Sequence, residues 1–291
     1  MKLRHLLPFA ATLILTGPSL AAPAALVDAV QVPAWRVRGD NTEALAPGMD
    51  IQNGDQVRTG PGARAYLKLA EGSTVKLGES AEMNFHSRSL KPQSFFRGAL
   101  DILTGAFRFT TAQVAKLHKR DVAIRVGTAT IGIRGTDVWG KSNGEQDLVM
   151  LIEGHIEVKP AGGEPLPMTA PLSVFIAPKG GEPLPLGTAT TEELASRSAE
   201  TDIDPANGAL RRKGPYSLKL GDATDEPTAL ALYDQVRRAG YAARVRPVAN
   251  GAEGQGWRYE VLLKGFASQK DAEQAAGPVA AALKLPVTAT R

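Results

Sequence analysis

Between about Leu26 and Ala177, turn signals recur at roughly the 8–12-residue spacing of an all-β sandwich, roll or barrel. The apolar residues between them alternate. A period of two puts successive side chains on opposite faces of a strand, which excludes a helix bundle for this half of the chain. "AYLKLA" (Ala65–Ala70) alternates, Gly72 turns the chain, and "STVKLG" (Ser73–Gly78) alternates again. Tyr66, Leu67 and Leu69 are expected to answer Val75 and Leu77 across a hairpin or stacked coil. "ALDILTGAFRFTT" (Ala99–Thr111) is expected to repeat that arrangement around Gly105, and "LSVFIAP" (Leu172–Pro178) to be the last strand.

Inside this block lies "GTATIGIRGTDVWG" (Gly127–Gly140). It lacks the lysine and following helix of a phosphate-binding P-loop, and it is not G-x-S-x-G. Gly132 and Gly135 are expected to supply positive φ or close backbone approach at a structural turn made with Arg134 and Thr136. Arg134 and Asp137 then bond across the bend or face solvent.

Composition shifts after Lys179. Residues 180–213 mix Pro, Gly, Thr, Ser and acids without strand alternation and read as a linker, with "TEELASRSAE" a short helix capped by Thr190 or Thr191. From residue 214 the pattern changes again. "YSLKLG" reads as a strand, and Asp225–Gly240 as a helix with Ala229, Leu232, Tyr233 and Val236 on one face. "YAARVRPV" and "WRYEVLLKGF" are strands, a helix follows from its cap Ser268, and "PVTATR" closes the chain. The order is β-α-β-β-α-β, which predicts four antiparallel strands with two helices on one face.

The first residues carry Lys2 and Arg4, then an apolar run from Leu6 to Leu15, Gly17-Pro18 and small residues. This is the order of a secretory signal peptide over residues 1–21, cut after Ala21. The run is shorter than the ~20 residues of a spanning helix, so no transmembrane span is expected after cleavage. A periplasmic location follows. Loss of Lys2 and Arg4 takes the formal charge from +4 to +2, a weak pull on polyanions.

Catalytic and metal chemistry find no motif. The absence of cysteine excludes thiol catalysis, Cys-ligated zinc and disulfides. His86, His118 and His155 are too far apart for short-range zinc patterns, and "DID" (Asp202–Asp204) lacks an EF-hand loop. No paired-carboxylate motif proposes a glycan hydrolase. We expect no cofactor, no metal and no enzyme.

Two stretches resemble known families. "DQVRTGPGARAYLKLAEGSTVKLGESAEMNF", followed by "TATIGIRGTDVWG" and "DLVMLIEGHIEV", is similar to the FecR domain, with its Arg-Gly-Thr turn at Arg134-Gly135-Thr136 and its Glu-Gly at Glu153-Gly154. The resemblance implies a β-rich, non-enzymatic module of stacked strand pairs, a roll or β-helix-like body over residues 26–179. The iron-dicitrate type regulators of that family carry a cytosolic anti-sigma segment before a membrane span. Here the apolar run begins at Leu6, so that arrangement is not expected.

Residues 214–291 resemble SPOR domains through "YSLKLG", "ALALYDQVRRAG" and "YEVLLKGFASQKDAEQA", with Glu260 where the family has arginine and Lys264-Gly265 in place of Gly-Pro. That resemblance implies binding to peptidoglycan glycan strands at the division site. Strand alternation supplies a surface. If Tyr216, Leu218, Leu220, Tyr259, Val261 and Leu263 pack under the helices, then Ser217, Lys219, Arg244, Arg246, Arg258, Glu260, Leu262 and Lys264 face outward together. Such a face is suited to sugar hydroxyls and lactyl carboxylates. A nucleic-acid partner is not expected, because the aromatic pattern of an RNA-binding sheet is missing. The sequence thus predicts a multidomain, exported, non-enzymatic envelope protein that binds glycan strands, with the FecR-like domain as an interaction module for an envelope partner. The alternative is a periplasmic sensor in which the SPOR-like domain is a tether.

Overall fold

The computed structural model describes residues 24–91, 95–112, 119–249 and 256–291; of residues 88–91, 95–97, 119–121 and 134 the backbone alone is described. The expected signal peptide and His118 lie outside these residues.

The chain opens with β1 (Ala25–Gln31), β2 (Ala34–Arg38), β3 (Asn41–Ala44), β4 (Asp50–Ile51), β5 (Gln56–Thr59), β6 (Arg64–Leu69) and β7 (Thr74–Leu77). Longer strands follow: β8 (Glu82–Lys91), β9 (Phe95–Thr110), β10 (Lys119–Val126), β11 (Ala129–Ser142) and β12 (Gln146–Pro160). The block closes with β13 (Leu166–Met168), β14 (Ser173–Pro178) and β15 (Gly187–Thr188).

These strands form two ladders that share β9, β11 and β12. One ladder runs β3-β2-β5-β8-β9-β10-β11-β12-β13 and uses the first halves of β9 and β11 with the second half of β12. The other runs β1-β6-β7-β9-β11-β12-β14-β15 and uses the remaining halves. The pairing of β9 with β10 is parallel; the others are antiparallel. Each shared strand changes ladder at a positive-φ glycine: Gly105 (φ 86°), Gly135 (φ 65°) and Gly154 (φ 90°). Gly105 was expected to turn the chain in a hairpin or stacked coil. Instead β9 continues through it, because an isolated αL-region glycine re-aims a strand without reversing it.

Between the ladders lies one apolar core. Leu67, Val75, Phe107, Phe109, Val149 and Phe175 from one side face Met83, Phe85, Leu100, Ile124, Ile131 and Val158 from the other. Leu67 pairs with Val75, and Tyr66 pairs with Lys76 on the opposite face. Tyr66 therefore leaves the core, and its hydroxyl accepts the Ile203 N–H at 2.7 Å.

Residues 180–213, expected as a linker, pack against the outer face of the second ladder. α1 (Thr191–Thr201) starts in a capping box, Thr190 with Glu193. Leu194 and Ala189 cover Trp139, Met150 and Val174, and the Arg197 guanidinium stacks on the Trp139 ring at 5.5 Å. Lys141 pairs with Glu200 at 2.7 Å and Lys76 with Asp202 at 2.5 Å. Further on, the buried Gln31 side chain donates to the carbonyls of Asp204 (2.8 Å) and Asn207 and accepts the Asp204 N–H (3.0 Å). Gln31→Ala would leave these backbone groups unpaired in the interior. We expect a loss of about 1–3 kcal/mol, read as a lower urea midpoint at unchanged slope.

β16 (Leu210–Arg211) then pairs with β1 on one side and with β19 (Trp257–Phe266) on the other, joining the two modules edge to edge. The C-terminal module consists of β17 (Tyr216–Ala223), α2 (Glu226–Arg238), β18 (Ala243–Ala249), β19, α3 (Gln269–Leu283) and β20 (Thr288–Thr290). Its antiparallel sheet runs β20-β17-β19-β18, with Leu218, Leu220, Val261 and Leu263 packed on Ala229, Val236, Ala275 and Val279 of the helices. Ser268 caps α3 in a capping box with Asp271, and Pro278 sits within a helix that remains continuous. A second contact fixes the modules: Trp35 donates to the Arg238 carbonyl at 3.0 Å, and a Cβ on Gly240 would lie 2.7 Å from the Trp35 ring. Together the modules make a mostly β, multidomain chain.

Candidate functional site

The Gly127–Gly140 stretch is structural at the positions where contacts are described. Gly135 and Thr136 on β11 oppose the single Gly154 on β12, a bulge of two residues against one. A Cβ on Gly154 would collide with the Gly135 carbonyl oxygen. The Arg-Gly-Thr and Glu-Gly motifs of the sequence thus meet at one strand crossing. Gly132 is a correction. It lies inside β11, between Ala123 and Glu157, with no positive φ and no atom within 4 Å of where a Cβ would stand. Neither close approach nor a left-handed turn explains it. Asp137 bonds Arg108 of β9 through two contacts, 2.9 and 2.7 Å, and that guanidinium sits beside it across the ladder. His86 and His155 are exposed, and among the described residues no metal-holding cluster occurs.

On the C-terminal sheet, ladder register places the expected residues on one side. Lys219 and Arg244 flank Leu262, Asp222 and Arg246 flank Glu260, and Ser217 pairs with Lys264. The helices cover the other side. Exposure is uneven, however. Ser217, Glu260 and Leu262 were expected to face solvent and are buried, at 3%, 5% and 4% exposure. The reason is local: β17 and β19 are both inner strands, with Ser217 a short side chain between Lys264 and Thr290, Glu260 between Asp222 and Arg246, and Leu262 between the longer Lys219 and Arg244.

Glu260 is the hub. It accepts Arg246 at 2.9 and 2.5 Å and Arg258 at 2.8 Å. Arg258 also reaches Asp222 at 3.0 Å, and Lys219 pairs with Asp222 at 2.8 Å. Burial pushes the Glu260 carboxyl up, but the Arg246 and Arg258 guanidiniums outweigh it and hold the group below the usual carboxylate range. Asp222 is likewise lowered, first by the hydrogen bond from Lys219. Three of the five expected cations are therefore paired within the sheet, sharing the two carboxylates of Asp222 and Glu260. Arg244 and Lys264 are exposed and make no ion pair among the described residues. Asp222 lay outside the sequence reading, because the strand was ended at Gly221. A bulge between Lys219 and Gly221 carries β17 on to Ala223 and brings Asp222 level with Glu260.

Residues 55–157 match the family described as FecR protein, which supports a FecR domain over that span. The matched segment runs from the turn before β5 to the last third of β12 and includes all three ladder crossings. It does not extend to residues 214–291. No curated protein matches the chain. Among solved structures, two crystal structures of a "putative anti-sigma factor" from Parabacteroides distasonis are similar to it. The first is 14% identical with a TM-score of 0.40, covering 67% of this chain and 95% of that one. The second is 12% identical with a TM-score of 0.40, covering 78% and 90%.

Proposed function

We propose that this chain is a non-enzymatic regulatory protein of the cell envelope, whose FecR domain contacts a signalling partner and whose C-terminal module holds that domain in place. The observation that carries this reading is the family match over residues 55–157, a segment that contains the whole crossing architecture. Export by residues 1–21 would place it in the periplasm. Loss of the chain should change the transcription of a defined gene set, and the full-length chain should restore it. An unaltered transcript profile would remove the proposal.

A second reading, glycan-strand binding, draws on Arg244 and Lys264, which make no ion pair among the described residues and lie on the sheet side opposite the helices. Under it, the full chain pellets with purified sacculi, more so after an amidase strips the stem peptides. Lys219→Ala with Arg244→Ala and Arg258→Ala lowers recovery. Pelleting no better than without sacculi ends this second reading and leaves the first untouched.

A further inference from the structure

Where the two modules join they leave a cleft of about 130 Å³. Val32, Pro33 and Pro61 line it from the first module, and Tyr241, Pro278 and Val279 from the second. Asn207, from the segment that ties the modules together, completes the wall. The joint is closely packed around it. The Pro33 ring sits between two glycines: a Cβ on Gly60 would lie 2.8 Å from it and a Cβ on Gly240 2.9 Å. The Ala34 N–H donates to the Gly240 carbonyl at 3.1 Å, the Gly60 N–H donates to the Pro33 carbonyl at 2.9 Å, and Val32 packs on the C-terminal core. The cleft is therefore preformed by the docked modules, and module junctions are a preferred place for small-molecule sites.

The lining sets the chemistry of an occupant. No lining side chain is charged, so an ion would shed water there without a partner. Tyr241 is 3% exposed, and its hydroxyl has no hydrogen-bond partner among the described residues. Burial pushes this phenol up, with no hydrogen bond acting against it. A buried hydroxyl left unpaired is costly, and a ligand oxygen would satisfy it. The Asn207 side-chain amide makes no hydrogen bond among the described residues either, and offers both a donor and an acceptor. The apolar part of the lining is rich in proline. Pyrrolidine rings and aromatic faces are complementary surfaces, the pairing by which Pro-rich segments settle in aromatic-lined grooves. Proline is disfavoured inside a helix, yet Pro278 stands exposed within α3, where its ring forms one lip of the cleft. An apolar cavity of about 150 Å³ holds one benzene ring, so the space here matches a single six-membered ring.

We propose that this cleft is a binding site for a small neutral phenol, its ring held among Pro33, Pro61 and Pro278 and its hydroxyl bonded to Tyr241 and Asn207. Both modules line the site, so an occupant binds the docked arrangement and stabilises the whole chain.

The test uses the full chain and p-fluorophenol, read by broadening of its fluorine resonance. The wild type should bind with a dissociation constant on the order of 1 mM, the range open to a ligand of so few atoms, and its thermal midpoint should rise with phenol concentration. Tyr241→Phe should bind p-fluorophenol about 10-fold more weakly, but fluorobenzene no more weakly than the wild type does. That split separates loss of the hydroxyl from loss of the cleft. Ala282 also lines the cleft and is exposed on α3, so Ala282→Phe should keep the wild-type midpoint without ligand and exclude both probes. Absence of wild-type broadening, unchanged p-fluorophenol affinity in Tyr241→Phe, or binding retained by Ala282→Phe each overturns the proposal. Benzoate competing as well as phenol also overturns it, as does N-acetyltyrosine amide competing more than about 10-fold better, which would assign the cleft to a partner's side chain. None of these outcomes touches the transcriptional test.

Discussion

Gly154→Ala is expected to destabilise the FecR-bearing module by about 3–5 kcal/mol, whereas Gly132→Ala should be neutral or stabilise by up to about 1 kcal/mol. The two glycines are close in the same β11–β12 ladder and differ in everything that makes glycine necessary. Gly154 has φ 90°, and its Cβ would strike the Gly135 carbonyl and lie 3.0 Å from the Thr136 Cα. Those are backbone atoms of the bulge, so no rotamer change relieves the clash. Gly105 faces the same problem, 2.5 Å from the Ala81 Cα at φ 86°. At Gly132 the strand geometry suits any residue and the space is open. Alanine there removes unfolded-state freedom at no steric cost. Urea unfolding of the three variants decides the matter. Equal midpoints for Gly154→Ala and Gly132→Ala would mean that the crossing does not constrain the fold.

Period-two alternation made the strands legible, and it made the two sides of the C-terminal sheet legible as well. What it did not convey was which strands pair. A glycine between two alternating runs looks the same whether the chain reverses or crosses over. For Gly105 the answer rests with Ala81, about two dozen residues earlier. The order in residues 180–213 was hidden for a similar reason: the segment is polar, and the surfaces that hold it, Trp139, Tyr66 and Gln31, lie far away in sequence. On the sheet face, parity places Glu260 outward correctly, but parity says nothing of the flanking guanidiniums that bury it. Asp222 was missed because a bulge extends β17 beyond the apolar pattern. Arg211 to Lys213 were read as linker because the strand that fixes them is only two residues long.

Asp147→Asn is expected to cost about 1.5–3 kcal/mol near neutral pH and to flatten the acid limb of the stability profile. The Asp147 side chain has no solvent exposure. Its carboxylate accepts the Lys179 ammonium at 2.5 Å, the Ser142 hydroxyl at 2.7 Å, and both the N–H and hydroxyl of Thr128 at 2.9 Å. It thus ties the β10–β11 turn, the end of β11 and the end of β14 together. Burial pushes this carboxyl up, but the hydrogen bonds from Lys179, Ser142 and Thr128 outweigh it, so the folded value lies below the usual carboxylate range. A depressed folded pKa means that the unfolded chain binds the proton more readily. The contribution is therefore complete above the unfolded value of about 3.9 and is lost as pH falls through the lower folded value. An asparagine supplies one acceptor where two are needed and turns its NH₂ towards a donor, so the deficit at neutral pH is large and the proton-linked part vanishes. The two unfolding midpoints should converge between pH 7 and about 3; parallel acid limbs would assign the acid sensitivity to other carboxylates. The same site explains the first glycine of the Gly127–Gly140 stretch. A Cβ at Gly127 would overlap the Asp147 carboxylate itself, so the turn can close on the buried charge only where the residue has no side chain.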